Sequence, residues 1–418
     1  MARIIGGIGA SHSPTIGFAK DNGKHDDAAW QPIFAGFAKV REWVRDQRID
    51  VLFTIYNDHV TSFFFDHYSA FALGIDDRYV AADEGGGPRP FPPVRGHAGL
   101  ARHIGAALVA DEFDMSFFQG KPIDHGCLSP LSMLDDDAAR WQGSIVPLQV
   151  GVLQLPIPSA RRCWKLGQSL RSAIESYPED LRVAIMATGG LSHQVHGERA
   201  GFLNEAWDDE FLDLLEDRPD RLVDLRIADY ARLGGMEGAE VIMWLIMRGA
   251  LSARVRRIHR ATYAPSVTNI ATVVFEDTAA AADPAAIAAR RRQIDHELAG
   301  AESLAGTYPF TLERSHANLR INRFLHGLTR PLHRQRFLQD FAALADEFGL
   351  TAEERALIEG RRWIEMIRRG VSFFVLEKMA AVLGVSNPEV YAAFRGETLA
   401  EFLATRKAPI TYGVSGPR

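Results

Sequence analysis

The sequence has 418 residues, of which 47 % are hydrophobic and 24 % charged, and its formal net charge is −6. These proportions exclude a mainly disordered chain, because they allow a substantial buried core. The negative charge argues against nucleic acid as a partner, since no basic excess would attract a polyanion. At roughly 150 residues per domain, the length indicates about two or three domains.

Cysteine usage and hydropathy predict a cytoplasmic protein. Cys127 and Cys163 are the only cysteines and form no CxxC pair, which excludes a disulfide framework and an all-cysteine zinc site. No apolar run reaches the roughly 18 residues that a membrane-spanning helix needs. The apolar start of the chain stops at residues 11–14, so a buried first strand is a better interpretation than a signal peptide. We therefore expect a reducing compartment and no membrane association.

Short apolar runs alternate with amphipathic stretches in the first two-thirds of the chain. Apolar residues at helical spacing predict a helix over 28–46, and the Gly/Pro-rich segment 85–93 predicts an exposed loop. The continuous apolar runs predict strands that are covered on both faces, at 4–10, 51–56, 145–153, 181–187 and 269–275. Strands and helices in alternation indicate a layered α/β domain.

The composition changes toward the end of the chain. Residues 279–300 are rich in alanine and charge and predict a helix, and 316–405 show helical periodicity without a convincing strand. We therefore predict an α/β domain at 1–300. A smaller all-helical domain with a C-terminal tail is predicted at 301–418.

Four histidines directly follow a predicted strand or lie in a turn rich in Gly, Ser or Asp: His12, His59, His125 and His193. Ligands of open α/β sheets bind outside the carboxyl ends of the strands, so these histidines can converge on one crevice. Imidazole binds Fe(II) and Zn(II) well, and its pKa suits proton transfer near neutral pH. A single histidine in a turn is more often structural, but four in equivalent positions indicate a site. His196 follows His193 at a helical spacing, and nothing else supports a role for it.

A facial metal triad of two histidines also needs a carboxylate, and the segment 234–244 offers two. Glu240 precedes a strongly apolar helix, where a buried carboxylate is costly unless it is paired or bound to a metal. Glu237 suits the N-terminal end of that helix, where the helix dipole favours its charge. Spacing alone does not decide between the two.

Four motifs carry a resemblance to a known family: Gly-Ala-Ser-His-Ser-Pro-Thr, Tyr-Asn-Asp-His, Gly-Gly-Leu-Ser-His-Gln and Gly-Ala-Glu-Val-Ile-Met-Trp. Together they resemble the β-subunit of the class III (LigB-type) extradiol ring-cleaving dioxygenases. The C-terminal part, with Asn322-Arg323-Phe324 and Val371-Ser372-Phe373-Phe374, resembles the small helical α-subunit of the same enzymes. Both parts fused in one chain are similar to the gallate-cleaving members of the family.

The resemblance implies a non-heme Fe(II) site that cleaves the 4,5 bond of gallate with O₂. The product would be 4-oxalomesaconate, in the degradation of aromatic, lignin-derived compounds. The resemblance implies His12, His59 and Glu240 as iron ligands and His193 as the catalytic acid/base. His125 corresponds to a second active-site histidine that hydrogen-bonds near the substrate oxygens. A homodimer is also expected, by the subunit packing of the family and the prevalence of two-fold assemblies.

Hydroxyl and carboxylate side chains are predicted to hold the substrate. The segment that leads into the last predicted strand lies where the family binds the substrate carboxylate, which implies Thr268 and Ser266. Tyr391 and Tyr412 are further candidates for the carboxylate, and Glu377 for the third hydroxyl of gallate. The tail that carries Tyr412 is expected to close over the pocket of this or a neighbouring subunit, with a frayed terminus as the alternative. For Glu377 the alternative is a solvated helix charge.

Three other functions stay open from the sequence. The first is a fused protocatechuate 4,5-dioxygenase, because protocatechuate and gallate differ by one ring hydroxyl. The second is a non-catalytic binding protein of the same fold, against which the presence of Glu240 and His193 argues. The third is a zinc hydrolase, since histidine and glutamate also bind zinc, although no typical zinc motif occurs.

Overall fold

The computed structural model describes residues 1–136, 140–298 and 300–414. The chain divides into two compact units, Met1–Leu298 and Ala299–Arg418. The first is a mixed α/β structure and the second is helical, which confirms the predicted fold class. Within the described residues, no helix combines the length and the apolar character that crossing a bilayer requires.

Ten strands occur in the described part of the first unit. In chain order they are β1 Arg3–Ala10, β2 Val51–Tyr56, β3 Phe71–Gly74, β4 Arg78–Tyr79, β5 Val94–Arg95, β6 Ser116–Phe118, β7 Ser144–Val150, β8 Arg182–Thr188, β9 Val255–Tyr263 and β10 Ile270–Asp277. Eight of them form one sheet in the order β6-β3-β7-β2-β8-β1-β10-β9, and β4 pairs with β5.

The centre of the sheet is parallel. Strands β7, β2, β8 and β1 run in the same direction, and β10 pairs antiparallel with β1. The carboxyl ends of β1, β2 and β8 and the beginning of β10 therefore lie at the same edge of the sheet. Residues that directly follow these strands are brought together there although they are far apart along the chain.

Helices cover both faces of the sheet. They are α1 Pro14–Asp21, α2 Gln31–Asp46, α3 Ala98–Ala110, α4 His125–Ser132, α5 Ala160–Glu175, α6 Glu205–Asp217, α7 Pro219–Val223, α8 Ile227–Gly234, α9 Ile242–Ala250 and α10 Pro284–Leu298. Every residue of α9 is buried, and eight of its nine residues are uncharged, the exception being Arg248. Short 3₁₀ turns lie at Lys24–Asp26 and Glu237–Val241.

Glycines in β1 allow these helices to approach the sheet closely. A Cβ atom on Gly9 would lie 2.3 Å from the ring of Trp244 in α9. A Cβ atom on Gly7 would lie 2.3 Å from Met247 Sδ, and one on Gly6 would lie 2.9 Å from Trp43 in α2. Since successive side chains of a strand point to opposite faces, α9 and α2 cover opposite faces of β1.

The second unit is a bundle of short helices around its own core. Its helices are α11 Leu312–Ala317, α12 Leu319–His326, α13 Pro331–Gln339, α14 Phe341–Glu347, α15 Ala352–Glu359, α16 Trp363–Arg369, α17 Phe373–Val382, α18 Asn387–Arg395 and α19 Leu399–Ala404. Buried Phe324, Met366 and Leu376 are among the side chains of the core. Short 3₁₀ turns lie at Ala301–Ser303 and Gly327–Thr329.

The apolar runs of the sequence correspond to β1, β2, β7, β8 and β10, with ends that differ by at most three residues from the prediction. The helix predicted over 28–46 begins at Gln31, and the one predicted over 279–300 begins at Pro284. Segment 85–93 lacks regular structure and is mostly exposed, as predicted. Strand β9 is not apparent from the sequence, because an edge strand that carries Arg256, Arg257 and Arg260 has no apolar run.

Replacing Gly9 with alanine is expected to lower the free energy of unfolding by about 1–3 kcal/mol, because the new methyl group overpacks the contact with Trp244. Gly86→Ala is the matched control, since a Cβ atom there meets nothing within 4 Å. Denaturant titrations followed by circular dichroism measure both changes. Equal stability of the two variants would contradict the close packing of α9 on β1.

Candidate metal centre

Three of the predicted histidines lie at the carboxyl edge of the parallel strands. His12 comes two residues after β1, His59 three residues after β2, and His193 five residues after β8. Thr268 forms an isolated antiparallel bridge with His193 just before β10 begins. The fourth histidine, His125, is the first residue of α4. The strand order thus assembles the site from distant parts of the chain.

Ligand atoms of His12, His59 and Glu240 all lie within 4.8 Å of one another. His12 Nε2 is 3.5 Å from Glu240 Oε2, and both side chains are almost fully buried. Two imidazoles and a carboxylate at this separation fit a divalent transition metal such as Fe(II). A cation also compensates the carboxylate, whose burial is otherwise costly.

Glu240 lies in the 3₁₀ turn that precedes α9, and the turn that follows β8 holds its carboxylate. Gly190 N donates a hydrogen bond of 2.6 Å to Glu240 Oε1. Gly189 has a positive φ of 96°, and a Cβ atom there would lie 2.9 Å from the Glu240 carboxyl carbon. Glycine at 189 therefore serves both the backbone conformation and the close approach of the carboxylate.

Glu237 has different partners. Its carboxylate accepts a hydrogen bond from Val195 N at 3.0 Å and pairs with the exposed ring of His196. Of the two carboxylates that spacing left open, the structure therefore places Glu240 beside His12 and His59. Glu237 and His196 pair with each other.

Burial and neighbouring charges set the protonation of the buried pair. Burial raises the pKa of Glu240, but the proximity of His12, His193 and His59 outweighs it and lowers the pKa to about 2. Burial lowers the pKa of His12, against the attraction of Glu240. The pair thus favours an anionic carboxylate and a neutral imidazole, which is the protonation state that metal ligation requires.

Two residues that the sequence analysis missed hold the rings of His12 and His59. Thr188 Oγ1 donates to Gly126 O at 2.9 Å, so it accepts from His12 Nδ1 at 2.9 Å. Asp124 Oδ2 accepts from His59 Nδ1 at 2.9 Å and from His59 N at 2.7 Å. Both contacts place the proton on Nδ1 and leave the Nε2 lone pair to a metal. Two features of the sequence could have indicated these supporting residues, namely the position of Thr188 at the end of a strand and the Asp-His pair at 124–125.

His59, Asp124 and His125 form a second group of possible ligands. Asp124 Oδ2 is occupied by two hydrogen bonds from His59, and Asp124 Oδ1 accepts from Gly126 N at 3.0 Å. Asp124 therefore supports the ring of His59, and the group with Glu240 is the better candidate for a metal.

His125 and His193 flank the triad. The rings of His125 and His59 stack with centroids 3.9 Å apart, and the ring of His125 is 5.9 Å from that of His12. His193 Nε2 is 3.8 Å from Glu240 Oε1, and His193 Nδ1 donates to Leu191 O at 2.9 Å. Both imidazoles are therefore close enough to act on a molecule bound at the triad.

The predicted substrate contacts are distributed over both units. Thr268 is half-buried beside His193, whereas Ser266 is exposed two residues earlier. In the second unit, Asn387 Nδ2 donates to Glu377 at 2.6 Å and Asn387 N donates to Tyr412 O at 2.7 Å.

Tyr412 Oη is also 3.4 Å from Tyr391 Oη. Together with the bond to Asn387, this contact argues against a frayed tail. The Glu377 side chain is only 13 % exposed, which argues against a fully solvated charge.

Glu240→Gln is expected to reduce bound Fe(II) at least about 10-fold, because the variant lacks the anionic ligand. His12→Ala should have the same effect. Glu237→Gln is the matched control and should retain the metal, since Glu237 contacts Val195 and His196 instead. Metal analysis after anaerobic reconstitution and desalting measures all three. Normal iron content in Glu240→Gln would contradict the assignment of the ligands.

Comparison with known proteins shows which family the chain resembles. Residues 6–275 match the family model described as "Catalytic LigB subunit of aromatic ring-opening dioxygenase". Residues 321–407 match "Aromatic-ring-opening dioxygenase LigAB, LigA subunit". A gallate dioxygenase of Pseudomonas putida is 60 % identical over 336 residues, which cover 80 % of this chain and 98 % of that protein.

Two more distant relatives are 2,3-dihydroxyphenylpropionate/2,3-dihydroxicinnamic acid 1,2-dioxygenases. The one from Photorhabdus laumondii is 27 % identical over 187 residues, 44 % of this chain and 55 % of that protein. The one from Pseudomonas putida is 26 % identical over 300 residues, 58 % of this chain and 88 % of that protein. The chain belongs to the LigB family of metal-dependent extradiol dioxygenases, which open aromatic rings with O₂, and carries a LigA-type region fused to its catalytic part.

Proposed function

We propose that the protein is a non-heme Fe(II) dioxygenase that cleaves the C4–C5 bond of gallate and yields 4-oxalomesaconate. In this reaction the hydroxyl-bearing C5 becomes a carboxyl carbon. The observation that carries the proposal is the convergence of His12, His59 and Glu240 within 4.8 Å at the carboxyl edge of the sheet. The relative that is called gallate dioxygenase supports the choice of substrate. The reaction belongs to the degradation of aromatic, lignin-derived compounds.

His12, His59 and Glu240 are the proposed ligands of the iron. The chemistry that Fe(II) supplies when bound is the transfer of electron density from an electron-rich ring to O₂, which do not react readily alone. Thr188 and Asp124 keep the two imidazoles in the tautomer that offers Nε2. Because Thr188 and Asp124 are themselves buried, they orient the proposed ligands before metal and substrate bind.

His193 is the proposed acid/base. Its Nδ1 proton is donated to Leu191 O, so Nε2 carries the lone pair of the neutral ring. Nε2 accepts a proton from a gallate hydroxyl and later returns it to the product, a role that contributes roughly 10²- to 10⁴-fold. His125, whose ring stacks on that of His59, hydrogen-bonds a substrate oxygen.

The carboxylate and third hydroxyl of gallate need further hydrogen-bond partners. Thr268 and Ser266 are the proposed donors in the first unit. Tyr391, Tyr412 and Glu377 stay predicted contacts from the second unit of this or another copy of the chain. We propose a homodimer, which is the commonest closed assembly.

Oxygen consumption after anaerobic reconstitution tests the reaction. With Fe(II) we expect O₂ uptake with gallate, and with Zn(II) none, because zinc has no redox chemistry. Absence of uptake with iron would reject the proposed reaction. Faster uptake with protocatechuate than with gallate would instead identify a fused protocatechuate 4,5-dioxygenase.

His193→Ala is expected to lower kcat by at least about 10²-fold while iron stays bound, because the residue transfers protons and is not a ligand. His196→Ala is the control, since its exposed ring pairs with Glu237. Steady-state O₂ uptake and metal analysis of the same samples measure both effects. Normal turnover by His193→Ala would show that another group is the acid/base.

Removing the Tyr412 hydroxyl with phenylalanine is expected to raise KM for gallate by about 3- to 10-fold, the effect of one lost hydrogen bond. Tyr308→Phe is the control, because Tyr308 bonds Arg368 and has no proposed role in binding. An unchanged KM in Tyr412→Phe would remove Tyr412 from the substrate contacts.

A further inference from the structure

A carboxylate outside the predicted site contacts the active-site histidine His125. Glu84 Oε1 accepts a hydrogen bond from His125 N at 2.9 Å, and Glu84 Oε2 accepts one from His125 Nδ1. One carboxylate therefore holds both the backbone and the side chain of the same residue. Glu84 precedes the Gly/Pro-rich segment 85–93 and is remote from His125 along the chain.

Backbone hydrogen bonds fix the segment of Glu84 beside the segment of His125. Ala82 N donates to Ile123 O and Ile123 N donates to Val80 O, both at 2.9 Å. Because Ala82 lies two residues before Glu84 and Ile123 lies two residues before His125, these bonds hold the carboxylate close to the histidine.

The middle of the segment 85–93 is attached to α1 and to α4. Arg89 forms two hydrogen bonds to Asp21, of 2.6 and 2.7 Å, at the end of α1. It also donates to Leu128 O in α4 at 3.3 Å and to Ser132 Oγ at 3.0 Å. Since α4 begins at His125, the hydrogen bonds of Arg89 attach the loop to the helix that carries this histidine.

We infer that Glu84 is a positioning residue that sets the tautomer of His125. An ionised carboxylate only accepts hydrogen bonds, so the proton of the neutral imidazole must lie on Nδ1. The lone pair is then on Nε2, on the side of the ring away from Glu84. Under the proposed function, on which this inference rests, Nε2 accepts a hydrogen bond from a substrate hydroxyl.

Glu84→Gln reverses the tautomer with almost no change in shape. The amide oxygen must accept from His125 N, which can only donate, so the amide NH₂ faces Nδ1. Nδ1 then becomes the acceptor, and the proton moves to Nε2. Glu84→Ala removes both contacts and leaves the ring free to adopt either tautomer.

The relative kcat/KM values of Glu84→Gln and Glu84→Ala distinguish a positioning role from a merely structural one. We expect kcat/KM for gallate to fall at least about 10-fold in Glu84→Gln, and by less in Glu84→Ala. A residue that only stabilised the loop would give the opposite order, since glutamine keeps more contacts than alanine. That opposite order, or wild-type kcat/KM in Glu84→Gln, would overturn the inference.

Asp83→Asn is the matched control. It removes the same charge from the same loop, but Asp83 Oδ1 accepts from Gly85 N and Gly87 N and does not contact His125. Asparagine retains this acceptor, so kcat/KM is expected to stay within about two-fold of wild type. A loss equal to that of Glu84→Gln would assign the effect to loop charge and overturn the inference.

Nitrogen NMR of ¹⁵N-histidine-labelled protein determines the tautomer of His125 without requiring catalysis. In the Zn(II)-loaded protein, with the signals assigned through His125→Asn, we expect a proton on Nδ1 in wild type and on Nε2 in Glu84→Gln. The same tautomer in both would overturn the inference. This measurement holds if gallate proves not to be the substrate, so failure of the proposed function is distinguishable from failure of the inference.

Discussion

The burial of one carboxylate is the constraint on which the site depends. Glu240 is 4 % exposed, and an isolated anion at such a position would be strongly destabilising. The hydrogen bond from Gly190 N compensates part of its charge, and a cation bound between Glu240 and the neighbouring imidazole of His12 would compensate the rest. The residues around Glu240 hold the carboxylate in this buried position. Trp244 of the buried helix α9 donates to Gly189 O at 3.2 Å and so fixes the turn against which the carboxylate rests.

The four imidazoles of the site are all held in the same way. Each of the four has its Nδ1 atom held by a fixed acceptor: Thr188 for His12, Asp124 for His59, Glu84 for His125 and Leu191 O for His193. Nε2 consequently carries the lone pair of every neutral ring, whether its proposed task is metal ligation, proton transfer or binding of substrate. The proposed ligands differ from the proposed acid/base in what Nε2 faces rather than in tautomer. Orientation before binding is typical of sites whose functional side chains are held by supporting hydrogen bonds.

The features that the sequence predicts are those that depend on a local pattern of residues, such as buried strands and the histidines that follow them. Strand β2 has the predicted bounds because six consecutive buried residues give a continuous apolar run, and His12, His59 and His193 were selected because each follows such a run. Strand β9 has no such run, since its basic edge faces solvent. Asp124 and Glu84 were missed because their roles depend on tertiary contacts, which no periodicity in one sequence encodes. The choice of Glu240 over Glu237 came from family resemblance, because their spacing is equally compatible with a ligand.

Diffraction at the iron absorption edge tests the central claim most directly. Crystals of protein loaded with Fe(II) under anaerobic conditions should show one anomalous peak, within about 2.0–2.2 Å of a nitrogen of His12, a nitrogen of His59 and an oxygen of Glu240. A peak bound instead by Asp124 and His125, or one that Glu240 does not contact, would contradict the account.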